Sequence, residues 1–369
     1  MSALTPAARA RAAVLGAFTA DAACTCVCPC SVTVTSPNLA LMPRARSGIH
    51  WVYRQADVVA VAAGKPPLPP LEGGYPALGA ENKAAWDEGA APPPALDLAA
   101  LRPEFLSPPA NPFYQYAQGE LSPYGHEGLL LLRSLAKQRG FDAAAYAADS
   151  AAAFTAYPAA GGRLNGLSKA FLAKYKGGAR PPACGVPDNK EAHSLVRVPP
   201  LVAMGAPRDV AEAAMRTHQD NDLAVACGLG FAAILERAVA TGDTMPALLD
   251  WAAASEAVPQ EARACAAAAA AAASSGRDVR ALGLEFGLSC GLPGALTLAL
   301  TIAGRHGDDY VAAQRANMLA GGDCASRAAV VGGLAAARAG AVPDAWLSRV
   351  TLREELSAAA DAVVALRRR

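Results

Sequence analysis

Apolar residues recur every three to four positions over most of this chain, the spacing of helices that bury one face. The pattern is clear at 223–239, 293–304, 310–318 and 353–365, and again at 9–23, 128–135, 141–157 and 164–175. Residues 262–272 are nearly all alanine, which has the highest helix propensity, so they read as helix too. A period-two run of β-branched residues, which a strand needs, occurs only within 24–47. The pattern therefore predicts an all-α fold in one domain across 1–369. Residues 286–304 carry no charge, but Gly287, Gly291, Pro293 and Gly294 interrupt them. That leaves 293–304 as a core helix too short for a bilayer, so no membrane is expected.

Two stretches depart from the helical pattern. Between 24 and 47, cysteines stand at every second position, Cys24, Cys26, Cys28 and Cys30. Zinc ligands are usually spaced C-x₂₋₄-C, and tighter spacing strains chelation by one loop. The segment is read as an irregular insertion. Residues 65–123 are rich in proline, with pairs or triplets at 66–67, 69–70, 92–94 and 108–109. Such composition predicts a loop region, with short helices at 80–88 and 96–101.

Composition narrows the function classes. Hydrophobic residues make up 53% of the chain and charged ones 18%, enough to bury a large core. A net charge of +1 gives no electrostatic case for nucleic acid or an anionic membrane. Nine cysteines without a secretory leader read as reduced thiols, hence a cytoplasmic protein, expected as a monomer. An Ala/Arg stretch at 7–13 imitates an organellar transit peptide, but is read as the opening of the first helix.

The candidate chemistry centres on 318–340. Gly321 and Gly322 allow a tight turn with positive φ, and Asp323 and Ser326 follow at the start of a small-residue helix. Oxygens on a rigid helix start suit a hard cation such as Mg²⁺, and equally suit an ordinary helix cap. A second constellation is Ser122, His126 and Glu127, in a loop that leads into an apolar helix.

Gly-Gly-Asp-x-x-Ser ahead of a small-residue helix, followed by Gly340-Ala-Val-Pro-Asp-Ala-Trp346, resembles the C-terminal signature of the ADP-ribosylglycohydrolase family. The resemblance spans 16–349, interrupted by the insertion, and includes His50-Trp51-Val52-Tyr53. It implies an orthogonal multi-helix domain and Mg²⁺-dependent cleavage of a glycosidic bond to ADP-ribose, from a small molecule or an ADP-ribosylated substrate. Carried over by motif, the resemblance implies Glu127, His218 and Asp323 as catalytic groups. Asp21, Arg197, Gly321 and Gly322 would bind substrate, with Arg197 facing a phosphate, and Ser122, Asp323 and Ser326 would hold metal. The usual signature, Gly-Gly-Asp-x-Asp-Thr, is altered here: Ala325 stands where the second Asp belongs. The usual Thr-Asp-Asp-Thr element is likewise replaced around Ser122. These departures resemble the crystallin J1-like branch. Two readings stay open, a Mg²⁺-dependent hydrolase and a catalytically degenerate member that binds ligand or serves as a soluble structural protein.

Overall fold

Small side chains set the closest contact between helices. The computed structural model describes residues 4–24, 59, 62–63, 101–105, 116–160, 162 and 164–367. In chain order its helices are α1 (Pro6–Cys24), α2 (Pro123–Gln138), α3 (Ala143–Ala156), α4 (Gly166–Lys176), α5 (Val198–Met204), α6 (Arg208–Arg216) and α7 (Asp222–Thr241). There follow α8 (Met245–Ala254), α9 (Gln260–Ser274), α10 (Val279–Phe286), α11 (Gly294–His306), α12 (Tyr310–Ala320), α13 (Cys324–Ala339), α14 (Asp344–Leu347) and α15 (Arg353–Val364). The described residues contain no strand, only an isolated antiparallel bridge between Glu191 and Gly291, so the fold is all-α as the periodicity predicts.

The centre is an antiparallel pair, α1 against α13. Leu4 meets Gly340 at one end, and Gly16 and Ala20 meet Gly332 further along. A Cβ on Gly16 would lie 2.3 Å from the Ala336 Cβ, and one on Gly332 would lie 2.4 Å from the Gly16 carbonyl oxygen. Only glycines let the two backbones come this close. Every residue of α13 from Cys324 to Ala337 is buried, as is α1 from Ala12 to Cys24. The remaining helices pack around this pair in one large apolar cluster, with a satellite cluster formed by Ala147, Ala151, Phe154, Phe171 and Cys184.

Several local expectations can be checked. α11 is buried continuously from Ala295 to Ala303, the expected core helix. α7 is long and apolar enough to cross a membrane, yet its Val225, Phe231, Ile234 and Leu235 lie inside the apolar core. Asn221, and not the neighbouring Asp220, caps α7 by accepting from the Ala224 N–H at 3.1 Å. Asp220 instead pairs with Arg216 at 2.7 Å. Apart from Cys24, the last residue of α1, the insertion at 24–47 lies outside the described residues. So do 50–53, the expected short helix at 80–88 and most of the one at 96–101.

Candidate functional site

The Gly-Gly-Asp turn joins α12 to α13. Gly321 and Gly322 have φ of +78° and +67°, which side chains other than glycine rarely adopt. A Cβ at Gly322 would also sit 2.3 Å from the Leu288 carbonyl oxygen, to which the Asp323 N–H donates at 2.8 Å. Asp323 is the N-cap of α13: its Oδ1 accepts from the Ser326 N–H at 3.0 Å. Its Oδ2 accepts from the Tyr124 hydroxyl at 3.3 Å. The Ser326 hydroxyl turns back and donates to the Asp323 carbonyl at 2.9 Å.

Arg327, which the sequence reading passed over, holds the turn from below. Its Nε donates to Asn317 Oδ1 at 2.9 Å, and its guanidinium also reaches the carbonyls of Leu288, Asn317 and Gly321, the last at 2.7 Å. It is fully buried. The signal was available, because Arg327 is the one charge between Asp323 and Arg338 in an otherwise apolar stretch.

Asp21, near the end of α1, reaches the start of α2. Its Oδ2 accepts from the Ser122 N–H at 2.7 Å, and its Oδ1 accepts from the Ser122 hydroxyl. Ser122 is the N-cap of α2, and its Oγ accepts from the N–H groups of Tyr124 and Gly125 at 3.1 and 3.2 Å. Asp21, Tyr124, Gly125 and Ala325 border one hollow of about 10 Å³, room for a single water. Tyr124, which follows Ser122 closely and donates to Asp323, ties the Asp21–Ser122 pair to the Asp323–Ser326 turn, and Ala325 lines the hollow together with Asp21.

Glu127, Arg197 and His218 form a second, fully buried cluster next to the first. Glu127 Oε1 accepts from Asn165 Nδ2 at 2.5 Å and from the Ser168 hydroxyl at 2.9 Å. Its Oε2 meets His193 Nδ1 and Arg197 Nη2, each at 3.1 Å. Burial alone would raise the Glu127 pKa, but His193 and Arg197 overcome it and hold the carboxylate well below its usual range. Burial likewise opposes the charge on His193, yet Glu127 and Glu191 together push it up to about 9. Glu191, which accepts from His193 Nε2 at 3.0 Å, is lowered to about 2, chiefly by that hydrogen bond. The Tyr124 and His193 rings, 4.8 Å apart, connect the two clusters.

Glu127, Arg197 and His218, the three residues of this cluster that the resemblance places at the ligand, are engaged with one another and with neighbouring side chains. Glu127 is buried, and its two oxygens meet four protein groups, Asn165, Ser168, His193 and Arg197. The Arg197 guanidinium, besides its contact with Glu127, donates to the Tyr146 hydroxyl at 3.3 Å and to the His193 carbonyl. His218 accepts from Arg197 Nη2 through Nδ1 at 3.0 Å, which places its proton on Nε2. That nitrogen is buried without a hydrogen-bond partner, and the ring is enclosed by Phe171, Tyr146 and Phe154 at centroid distances of 4.3, 4.6 and 5.9 Å. Burial first, and then Arg197, hold His218 well below its ordinary pKa, so it is neutral at pH 7.

An all-helical scaffold with a glycine-built acidic turn on its central helix, facing the start of a second helix, defines the class. A family model described as ADP-ribosylglycohydrolase matches residues 74–369, and the chain belongs to that family. Its similarities include crystallin J1A of Tripedalia cystophora, 27% identical over 285 residues, covering 69% of this chain and 82% of that one. Crystallin J1B of the same animal is 26% identical over 298 residues, covering 72% and 86%. A solved structure titled ADP-ribosylglycohydrolase-related protein complex superposes with a TM-score of 0.58, at 22% identity and over 98% of both chains, which shows a shared fold. The family match begins after α1, so Asp21 lies outside it and is tied to the site by its contacts with Ser122.

Proposed function

We propose that this chain is a crystallin J1-like member of the family that has kept the scaffold and lost metal-dependent hydrolysis. The observation that carries this reading is the donor chemistry around Asp323. A hard divalent ion wants several oxygen donors, with anionic ones setting its affinity. Here Ala325 offers a methyl where a carboxylate is usual, which leaves Asp323 the one carboxylate of the Gly-Gly-Asp turn. Ser122 spends its own hydroxyl on Asp21. Asp323 already caps α13 and accepts from Tyr124. Among the described residues, no three His, Cys, Asp or Glu side chains gather to hold an ion. Among the described residues, the donor set around Asp323 is a poor match for resident Mg²⁺.

On this reading the chain is at most a binder of an ADP-ribose-like molecule, and otherwise serves as a soluble structural protein. The crystallin names of two relatives point the same way. Isothermal titration with Mg²⁺ and ADP-ribose, separately and together, tests it alongside release of ADP-ribose from arginine-, serine- and acetyl-linked substrates. The expected outcome is no saturable Mg²⁺ binding and no release. Mg²⁺-dependent release that disappears in Asp323→Ala would establish the hydrolase reading instead.

A further inference from the structure

A separate hollow of about 370 Å³ opens where the end of α5, the start of α6 and the middle of α7 meet the C-terminal residues. Its volume falls within the range of small-molecule pockets and equals about a dozen water-sized groups. None of its lining residues belongs to the clusters around Asp323 or Glu127. The floor is aliphatic: Leu201, Val202 and Leu229 are buried there, with the methyl of Ala233 beside them.

The rim carries two guanidiniums, Arg208 and Arg367, against one carboxylate, Glu236. Arg367 is committed, since it pairs with Glu236 and donates to the Val202 carbonyl at 2.5 Å. Arg208 is not. Its contact with the Ala257 carbonyl is 3.5 Å, at the outer limit of a hydrogen bond. One cationic fork is therefore left over an apolar floor. A guanidinium matches a carboxylate in two parallel hydrogen bonds. A single excess positive charge matches a monoanion, and Glu236 disfavours a doubly charged head.

We infer that this hollow binds a small aliphatic monocarboxylate, its chain against Leu201, Leu229 and Ala233 and its head on Arg208. Calorimetric titration of the full chain with octanoate tests this, with octanol and octyl phosphate as the comparison ligands. Octanoate should bind one to one and more tightly than either. Arg208→Gln changes an exposed side chain and should weaken octanoate about tenfold or more, the loss of a charge-assisted hydrogen bond, while leaving octanol unchanged. Ala233→Phe should fill the hollow and remove binding, with circular dichroism and thermal melting confirming that both variants fold. Absence of saturable octanoate binding, equal binding of octanol, or octanoate affinity unmoved in Arg208→Gln would overturn the proposal. Tighter octyl phosphate than octanoate would overturn the choice of a carboxylate head.

Discussion

At the scale of single residues, buried charge is concentrated around the site, and it was the least legible part of the sequence. Glu127 sits at the meeting point of His193 and Arg197, so Glu127→Ala would strand two buried cations. Removing one partner of a buried ion pair costs about 3–5 kcal/mol, and urea denaturation should show a loss of that order. The same network makes stability depend on pH. His193 is raised from 6.5 to about 9, so its contribution is complete below pH 6.5 and fades as pH rises through 9. Glu127 and Glu191 lie below their ordinary value of 4.5, so their contribution is complete above that pH and fades in acid. His218, buried neutral and held well below its ordinary value, subtracts stability as pH falls below 6.5. Urea midpoints measured across pH should therefore be highest near pH 6.5 and fall on both sides, and His193→Gln should flatten the alkaline side. From sequence, Glu127 and Arg197 resembled ligand-facing groups because motif position records which residue stands where. It does not record which way a side chain points, and here His193 and Tyr146 turn both groups inward. Ala325→Asp probes the other cluster. A carboxylate forced into the small hollow beside Asp21 should lower the melting temperature, and added Mg²⁺ should recover part of the loss, because the variant supplies the missing anionic donor.

At the scale of elements, the α1–α13 pair lends itself to a paired comparison. Gly332 and Gly333 are neighbours on one helix with opposite surroundings. A Cβ on Gly332 would strike the backbone of α1 at 2.4 Å, whereas one on Gly333 would meet nothing closer than 3.7 Å. Gly332→Ala should therefore destabilise by about 1–3 kcal/mol or more through overpacking. Gly333→Ala should be neutral or stabilising by up to about 1 kcal/mol, from helix propensity. Thermal melts of the two variants decide it. The helices themselves were readable, because periodicity, alanine content and caps such as Asp309 and Ser122 all act locally. Which small residue meets which was not readable, since a stripe of Ala and Gly looks the same whether it faces a backbone or a side chain. The cap of α7 shows the limit of local reading: Asp220 and Asn221 are equally competent, and Arg216 decides between them by claiming the acid.

At the scale of the whole molecule, the all-α class and the family were legible because a few punctuating motifs, above all Gly321-Gly322-Asp323, lie far apart and still belong to one domain signature. Activity was not legible, since it turns on whether oxygens at the turn are spent within the protein. The pairing of α1 with α13 has a further consequence during synthesis. About 300 residues separate the end of the first from the start of the second. At ~5–20 residues per second, α1 waits on the order of 15–60 s for the helix that covers it. Until then the glycine and alanine face of α1 that meets α13 has no native cover, and this central contact is among the last to become available. Ribosome-bound chains halted before Cys324 should stay protease-sensitive along α1, whereas release of the full chain should protect it.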